Sequence, residues 1–452
     1  MRARLMLDLS ERTLNRTIVN LAWPAILENL LQTSVFIVDS IFVGRLGTRA
    51  FAAVGQSTMI LFTVTFAFYG IGVAASAIVA RNLGRRDTAT ASEAAGQGLL
   101  LGGIIGIVLT VVGLRYSRFA LTALGTAPDV IDQAKSYLDI VFAFSLIRFV
   151  LFIGSSILRA AGDTRTPMWS TGIMNLFNII GDWVLIFGIG PFPRMGSDGA
   201  ALATGLSFVV GAGIILFKLL RSGPGFYVIG RDIRHLNVDH IKTIIQIALP
   251  NLGEQLFLQG AYWLFLWMVT SLGTTPLAAH FMAVRVESLS FMPVFGLSVA
   301  VATIVGQSLG AGRSDLAELT VKRAAVLGTA SMIVLGGIFV AIPGLFVRLF
   351  SPSPDVYDLA AVCVQISALE LPTSALLMIY MGAMRGAGDT LSPMLISFFG
   401  AVFLRVGVIY LLTIRLGLGL PGIWYGTAID WGLRAAVGYA LFRRGRWKQI
   451  RI

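Results

Sequence analysis

Twelve stretches of this 452-residue chain read as apolar and long enough to cross a bilayer, and no other feature narrows its fold so far. They lie near 18–43, 51–80, 94–114, 136–158, 168–190, 198–218, 242–270, 277–308, 323–342, 357–384, 393–413 and 420–442. Inside a bilayer every backbone N–H and C=O must be satisfied within the protein, which leaves helices and closed barrels. Barrel strands alternate apolar and polar residues over about ten positions. Here the runs are continuous, as in Ile104–Gly113 and Val334–Gly344. With 56% hydrophobic residues and 13% charged, against about 25% charged in soluble domains, the chain reads as an all-α polytopic membrane protein.

The net charge of +12 is distributed by side rather than gathered into a nucleic-acid surface. The two termini and every second loop hold 23 of the 35 lysines and arginines, the alternate loops hold 8, and 4 fall inside spans. The positive-inside rule puts both termini in the cytoplasm, with the chain in the plasma (inner) membrane. The tail Arg443, Arg444, Arg446, Lys448 and Arg451 then reads as a topology anchor beside anionic lipid. Met1–Arg16 is polar and basic, without the apolar core of a signal peptide. Leu5, Leu9 and Arg12 at helical spacing suit an interfacial helix instead. The single cysteine, Cys363, lies inside a span and reads as a buried thiol.

The chain is also a duplication. A gapless shift of 226 residues lays Ala22, Pro24 and Glu28 on Ala248, Pro250 and Glu254, and Leu46-Gly47-Thr48 on Leu272-Gly273-Thr274. The same shift aligns Arg159–Met168 with Arg385–Met394, seven of ten positions being identical. Each copy has six spans, and an even number gives both copies the same orientation. The expected architecture is two six-helix bundles related by a pseudo-two-fold axis along the membrane normal. They form an N-terminal lobe at 1–222 and a C-terminal lobe at 241–452. The linker at 223–240 opens with Gly223-Pro224-Gly225 and carries Arg231 and Arg234. Such pairs of bundles place a substrate near mid-membrane and work by rocking, which favours a transporter.

The power source follows by elimination. No lysine follows a glycine, so there is no glycine-rich phosphate loop, and no soluble segment is large enough for a nucleotide domain. His235, His240 and His280 lack metal-ligand spacing. Gly306-Gln307-Ser308-Leu309-Gly310 matches a nucleophile elbow, but it ends a membrane helix instead of joining a strand to a helix. No enzyme is expected, and no cofactor beyond a coupling ion.

Ionisable residues within spans are functional suspects by default. Glu28 and Glu254 are equivalent in the repeat and read as scaffold, bonding backbone freed by Pro24 and Pro250. Other polar residues break the repeat: Asp39 faces Phe265, Asn178 faces Leu404 and Asp182 faces Val408. Asn178 and Asp182 share one helix face, and Asp39 comes from another helix. Two carboxylates meeting in a low-dielectric pocket cannot both stay charged cheaply, so the pair becomes a proton-exchange site or a small-cation cage. In the second half, Asp430 and Arg434 are spaced as an ion pair. Arg285 and Glu287 point to different faces, and Glu370 stands beside a kink expected at Pro372.

Taken together, these residues resemble the multidrug and toxic compound extrusion family. The likeness rests on Pro24 and the stretch Val38-Asp39-Ser40-Ile41-Phe42-Val43-Gly44-Arg45-Leu46-Gly47. It rests also on the doubled Arg-x-x-Gly-Asp-Thr loops, on Asn175-x-x-Asn178-x-x-x-Asp182, and on Gly199-Ala200-Ala201-Leu202-Ala203-Thr204. The resemblance implies an antiporter that expels bulky, often cationic organic compounds in exchange for protons or sodium. Likeness to the family's archaeal and DNA-damage-inducible-like branches puts the coupling site, for a proton or a sodium ion, on Asp39, Asn178, Asp182 and Thr204. It makes Pro24 the point where the first helix bends on protonation. Sodium-coupled members carry acids on spans seven and ten, where this chain has Leu258 and Ser374, so the first lobe is favoured. Glu28, Glu254 and Glu370 remain secondary cavity candidates. The expected partners are membrane lipid and small organic cations or amphipathic drugs, not nucleic acid, with the chain working as a monomer. The alternative is a lipid-linked oligosaccharide or lipid flippase of the same superfamily, with Arg148, Arg285 and Arg405 meeting a pyrophosphate.

Overall fold

A computed structural model describes residues 10–221, 226–234, 236–348, 353–450 and 452. The chain folds entirely into helices, and no strand occurs among the described residues. The interfacial helix expected at Leu5 and Leu9 and the Gly223–Gly225 turn lie outside the described residues, as does Arg451.

Two compact units divide the chain. The first takes Pro24–Gln246, and the second takes Ile247–Ile452 together with the opening turns of the first helix up to Trp23. In the first unit run α1 (Leu14–Gly44) from Pro24 onward, α2 (Thr48–Gly84), α3 (Thr88–Ala123), α4 (Pro128–Ala143), α5 (Ser145–Ala160), α6 (Arg165–Phe187), α7 (Ser197–Leu220) and the short α8 (Gly230–Arg234). The second holds α9 (Val238–Thr270) from Ile247 onward, α10 (Thr274–Gly310), α11 (Ser314–Ala341), α12 (Pro343–Arg348), α13 (Pro354–Ser367), α14 (Leu371–Gly386), α15 (Leu391–Arg415) and α16 (Gly419–Arg444).

Seven of these helices are spans by length and apolarity, and three bent pairs make three more. α9 and α16, 33 and 26 residues long, complete the twelve. At 1.5 Å per residue both cross about 30 Å of hydrocarbon. The outward faces are apolar, as in a protein whose solvent is lipid: on α6, Leu176, Ile180 and Trp183 are more than half exposed. Asn175, Asn178 and Asp182 occupy the buried face of the same helix.

The fourth and tenth spans are single runs in the sequence but bend by 51° at Phe144 and near Glu370. Pro372 falls in the first turn of α14, where a missing N–H costs nothing, so the tenth span restarts there. In the first unit, a Cβ added to Gly205 of α7 would lie 2.1 Å from the Phe144 ring, so only glycine lets that elbow close. The 226-residue shift lays Phe144 on Glu370, one elbow on the other.

The doubled loops also become intelligible. Gly162 and Gly388 turn the chain at φ +88° and +87°, in the region that favours glycine. Asp163 then accepts from the Thr166 N–H (2.9 Å) and hydroxyl (2.6 Å), and Asp389 does the same with Ser392 at 3.0 and 2.6 Å. Each loop thus caps the helix that follows it. At the start of α3, Asp87 accepts from the Thr90 N–H at 3.0 Å and the Thr90 hydroxyl at 2.6 Å.

In α15, two π-helical stretches, Phe398–Arg405 and Leu411–Arg415, widen the helix. Gly400 lies in the first, where an added Cβ would meet Arg434 Cδ at 2.1 Å. The linker docks as α8 against α3, with Ser92 donating to Asp232 at 2.6 Å and Asn237 to Glu93 at 2.7 Å. The basic tail is held as well as charged: Trp447 is buried and stacks on Phe442, and Lys448 pairs with Glu318. Cys363 is free and buried in the second unit's core.

Candidate functional site

The first unit contains a cavity of 280 Å³ whose wall includes Asp39, Thr58, Tyr137, Arg148 and Thr204 among aromatic side chains. Asp39 enters from α1 and Thr204 from α7. On α6, Asn178 donates to the Thr204 hydroxyl at 3.3 Å, and Asn175 ties the helix to α1 through Leu31 O at 2.6 Å. The Asp39 and Asp182 carboxylates lie within hydrogen-bonding range of one another. Asp39 Oδ1, both Asp182 oxygens and Asn178 Oδ1 are buried and receive no hydrogen bond. Two ionised carboxylates only accept, so this arrangement calls for a proton or a small cation between them. The structure therefore brings the three residues singled out by the broken repeat together with Thr204, the fourth that the family resemblance named, and with Tyr137 near both acids.

Pro24 lies inside α1, which continues through it as one helix. The reading of Glu28 and Glu254 as partners of proline-freed backbone is corrected. Arg159 Nη1 donates to both Glu28 oxygens, at 2.9 and 3.1 Å. Glu254 accepts from Arg385 Nη2 at 2.7 Å and from the Ser397 hydroxyl at 2.9 Å. A formal charge reaches the nearest cation, so each lobe's first helix is tied to the arginine of its own duplicated loop.

Sequence reasoning missed a second acidic pair. Glu370, fully buried, has both oxygens without a donor and faces Glu287 of α10 within hydrogen-bonding range. In the same unit, Asp430 accepts from Arg405 at 2.7 Å and from Arg434 at 2.6 Å. The Asp430–Arg434 pair was legible as i, i+4, whereas Glu287 and Glu370 come from different helices. Each was visible as an ionisable residue within a span, and the repeat sets Glu370 where the first elbow has Phe144, but nothing in the spacing pairs them. Arg405 is occupied by Asp430 and Arg285 is exposed, which weakens the pyrophosphate reading. Ser308 lies within the helical α10, so the Gly306–Gly310 match is no nucleophile elbow. Among the described residues no three His, Cys, Asp or Glu side chains gather as a metal centre.

The family model described as MatE matches the chain twice, over residues 24–184 and 250–411, in step with the 226-residue repeat. The chain belongs to the MatE family. MatE proteins are membrane transporters, not enzymes. Among curated relatives, the probable multidrug resistance protein NorM of Thermotoga maritima is 29% identical over 436 residues, covering 96% of this chain and 94% of the relative. A probable multidrug resistance protein NorM of Brucella suis is also 29% identical, over 94% of this chain and 92% of its own. Among solved structures, a multidrug resistance MATE family transporter of the MOP superfamily, in an outward-facing conformation, has a TM-score of 0.89 at 24% identity, covering 97% of each chain. A MOP superfamily transporter from Pyrococcus furiosus has the same score, identity and coverage. These likenesses establish the fold of this MatE chain.

Proposed function

We propose that this MatE protein is a secondary active antiporter. It exports bulky, often cationic organic compounds in exchange for protons or sodium ions, by rocking of its two lobes. The observation that carries the reading is the Asp39–Asp182 pair, facing acids with no donor between them. A cationic cargo and a coupling ion compete for such a pair, and that competition is the physical basis of exchange. The names of the Thermotoga maritima and Brucella suis relatives support multidrug export. The duplication supports rocking, and the division of 23 against 8 basic residues supports cytoplasmic termini in a plasma membrane. The working unit is a monomer in lipid, its cofactor the coupling ion alone.

Purified protein in liposomes loaded with a fluorescent cationic dye tests this, with proton and sodium gradients imposed in separate runs. Dye movement driven by one gradient and lost in Asp39→Asn is the expected result, and it names the ion. Gradient-driven efflux that persists in Asp39→Asn overturns the site assignment. No movement under either gradient overturns the antiport itself.

A further inference from the structure

The first helix of each copy begins in the unit to which the rest of that helix does not belong. α1 opens in the second unit and passes to the first between Trp23 and Pro24. α9 opens in the first unit and passes to the second between Gln246 and Ile247. Both openings are packed, since Ile18 and Ile244, equivalent under the 226-residue shift, are each fully buried.

The grips on these openings are equivalent as well. Ahead of α9, the Asn237 N–H donates to Gln97 Oε1 of α3 at 3.1 Å. Ahead of α1, the Glu11 carbonyl accepts from Arg323 Nη1 of α11 at 2.9 Å. The shift lays Glu11 on Asn237 and Gln97 on Arg323, so one position of the third span holds one position of the lead-in, twice over. A guanidinium only donates and therefore takes a carbonyl, whereas a glutamine oxygen takes an N–H. Gln97 also donates from Nε2 to Asp232 O at 2.8 Å, and Arg323 reaches Asn15 Oδ1 at 3.4 Å.

Each crossing carries a proline. In a regular helix the N–H of residue 24 would bond Asn20 O, and that of residue 250 would bond Gln246 O. Proline has no N–H, and each missing bond is one that would span the crossing. Both helices continue through their prolines, so the crossings are where they bend most easily.

We infer that Gln97 and Arg323 are crossed anchors. Each makes the opening of the other copy's first helix travel with its own unit, so that rocking is taken up as paired bending of α1 at Pro24 and α9 at Pro250. The grips persist while the helices flex. This rests on the rocking reading above and gives it a second hinge and the positioning residues that load both hinges.

Spin labels on the full chain with Cys363→Ala test this in liposomes, at acid and alkaline pH, with and without sodium. Arg16 and Lys242 mark the two openings, and Ala89 and Asp315 mark the starts of α3 and α11; all four are exposed, and the same shift relates them in pairs. Electron paramagnetic resonance reads the distances, continuous-wave for short ones and pulsed for long ones. Arg16→Cys with Asp315→Cys, and Lys242→Cys with Ala89→Cys, each lie within one unit, and their distances are expected to hold. Arg16→Cys with Ala89→Cys, and Lys242→Cys with Asp315→Cys, are expected to shift by more than about 2 Å between conditions. Within-unit distances that shift as much as the others overturn the anchors while rocking stands. No shift in any pair overturns the rocking reading and the anchors with it. Pro250→Ala restores one hydrogen bond across the α9 crossing and should slow dye efflux about fivefold, with dye affinity within about twofold of wild type. Unslowed efflux in Pro250→Ala overturns the second hinge. If wild type moves no dye, the antiport reading falls and the distances still decide the anchors.

Discussion

Replacing Arg385 with methionine removes the shorter of the two hydrogen bonds given to Glu254, leaving a fully buried carboxylate with the Ser397 hydroxyl at 2.9 Å. At 2.7 Å the ion pair's Coulomb energy is about 6 kcal/mol with an effective dielectric constant of about 20. The cost of desolvating both ions offsets most of that, so the intact pair adds little net stability. Breaking it from one side is different, costing about 3–5 kcal/mol because the stranded carboxylate keeps its desolvation penalty. Removing both ions as Glu254→Met with Arg385→Met is expected to restore stability to within about 1–2 kcal/mol of wild type. Thermal unfolding in detergent, followed by tryptophan fluorescence at one fixed scan rate, reads the difference. At about 2–4 °C per kcal/mol for a unit of this size, Arg385→Met lowers the midpoint by roughly 6–20 °C, and the double variant regains most of that. The symmetric change Arg159→Met strands Glu28, whose side chain is 7% exposed against 1% for Glu254, and should cost less. Additive single and double variants would mean that the pair is not coupled, and the scaffold role of both glutamates would fall.

Three further outcomes are expected. Asp182→Asn should lose or shift the pH dependence of dye transport, and an unchanged profile would argue against an Asp39–Asp182 couple. Asp87→Ala should cost about 1 kcal/mol in the same melts. The Thr90 hydroxyl and N–H hold the Asp87 carboxyl below the usual carboxylate range. The stabilisation from this depressed group is therefore complete above about pH 3.9 and is lost as pH falls through the folded-state value, so wild type and Asp87→Ala should converge only in strong acid. Gly388→Ala places a Cβ at φ +87° and 2.9 Å from Ile452, and should cost about 1–2 kcal/mol from the backbone alone. A melt unchanged by that substitution would contradict the turn geometry.

The spans were legible because lipid imposes a requirement visible in one dimension: continuous apolar runs of fixed length. The duplication was legible because both copies retain the Arg-x-x-Gly-Asp-Thr loop, whose glycine turn, cap and arginine each have a local or near-local job. Asp39, Asn178 and Asp182 emerged where that repeat is broken and Thr204 from the family resemblance; Asp39 and Thr204 line one cavity, Asn178 bonds Thr204, and Asp182 faces Asp39. The bend near Glu370 was signalled by Pro372, whereas the bend at Phe144 was hidden in an apolar run, because a bend in the middle of a span changes direction without changing hydropathy.

The sequence alone thus determined the solvent, the helix count, the twofold plan and the asymmetric polar cluster, all of which follow from composition and spacing. Tertiary structure decided which charges meet. Glu28 and Glu254 found loop arginines instead of proline-freed backbone, Glu287 found Glu370 across two helices, and Asp430 took Arg405 as well as Arg434. Arg148 was left to face the cavity. An electrostatic partner is chosen by distance in three dimensions and by the cost of desolvation, and neither is encoded by separation along the chain.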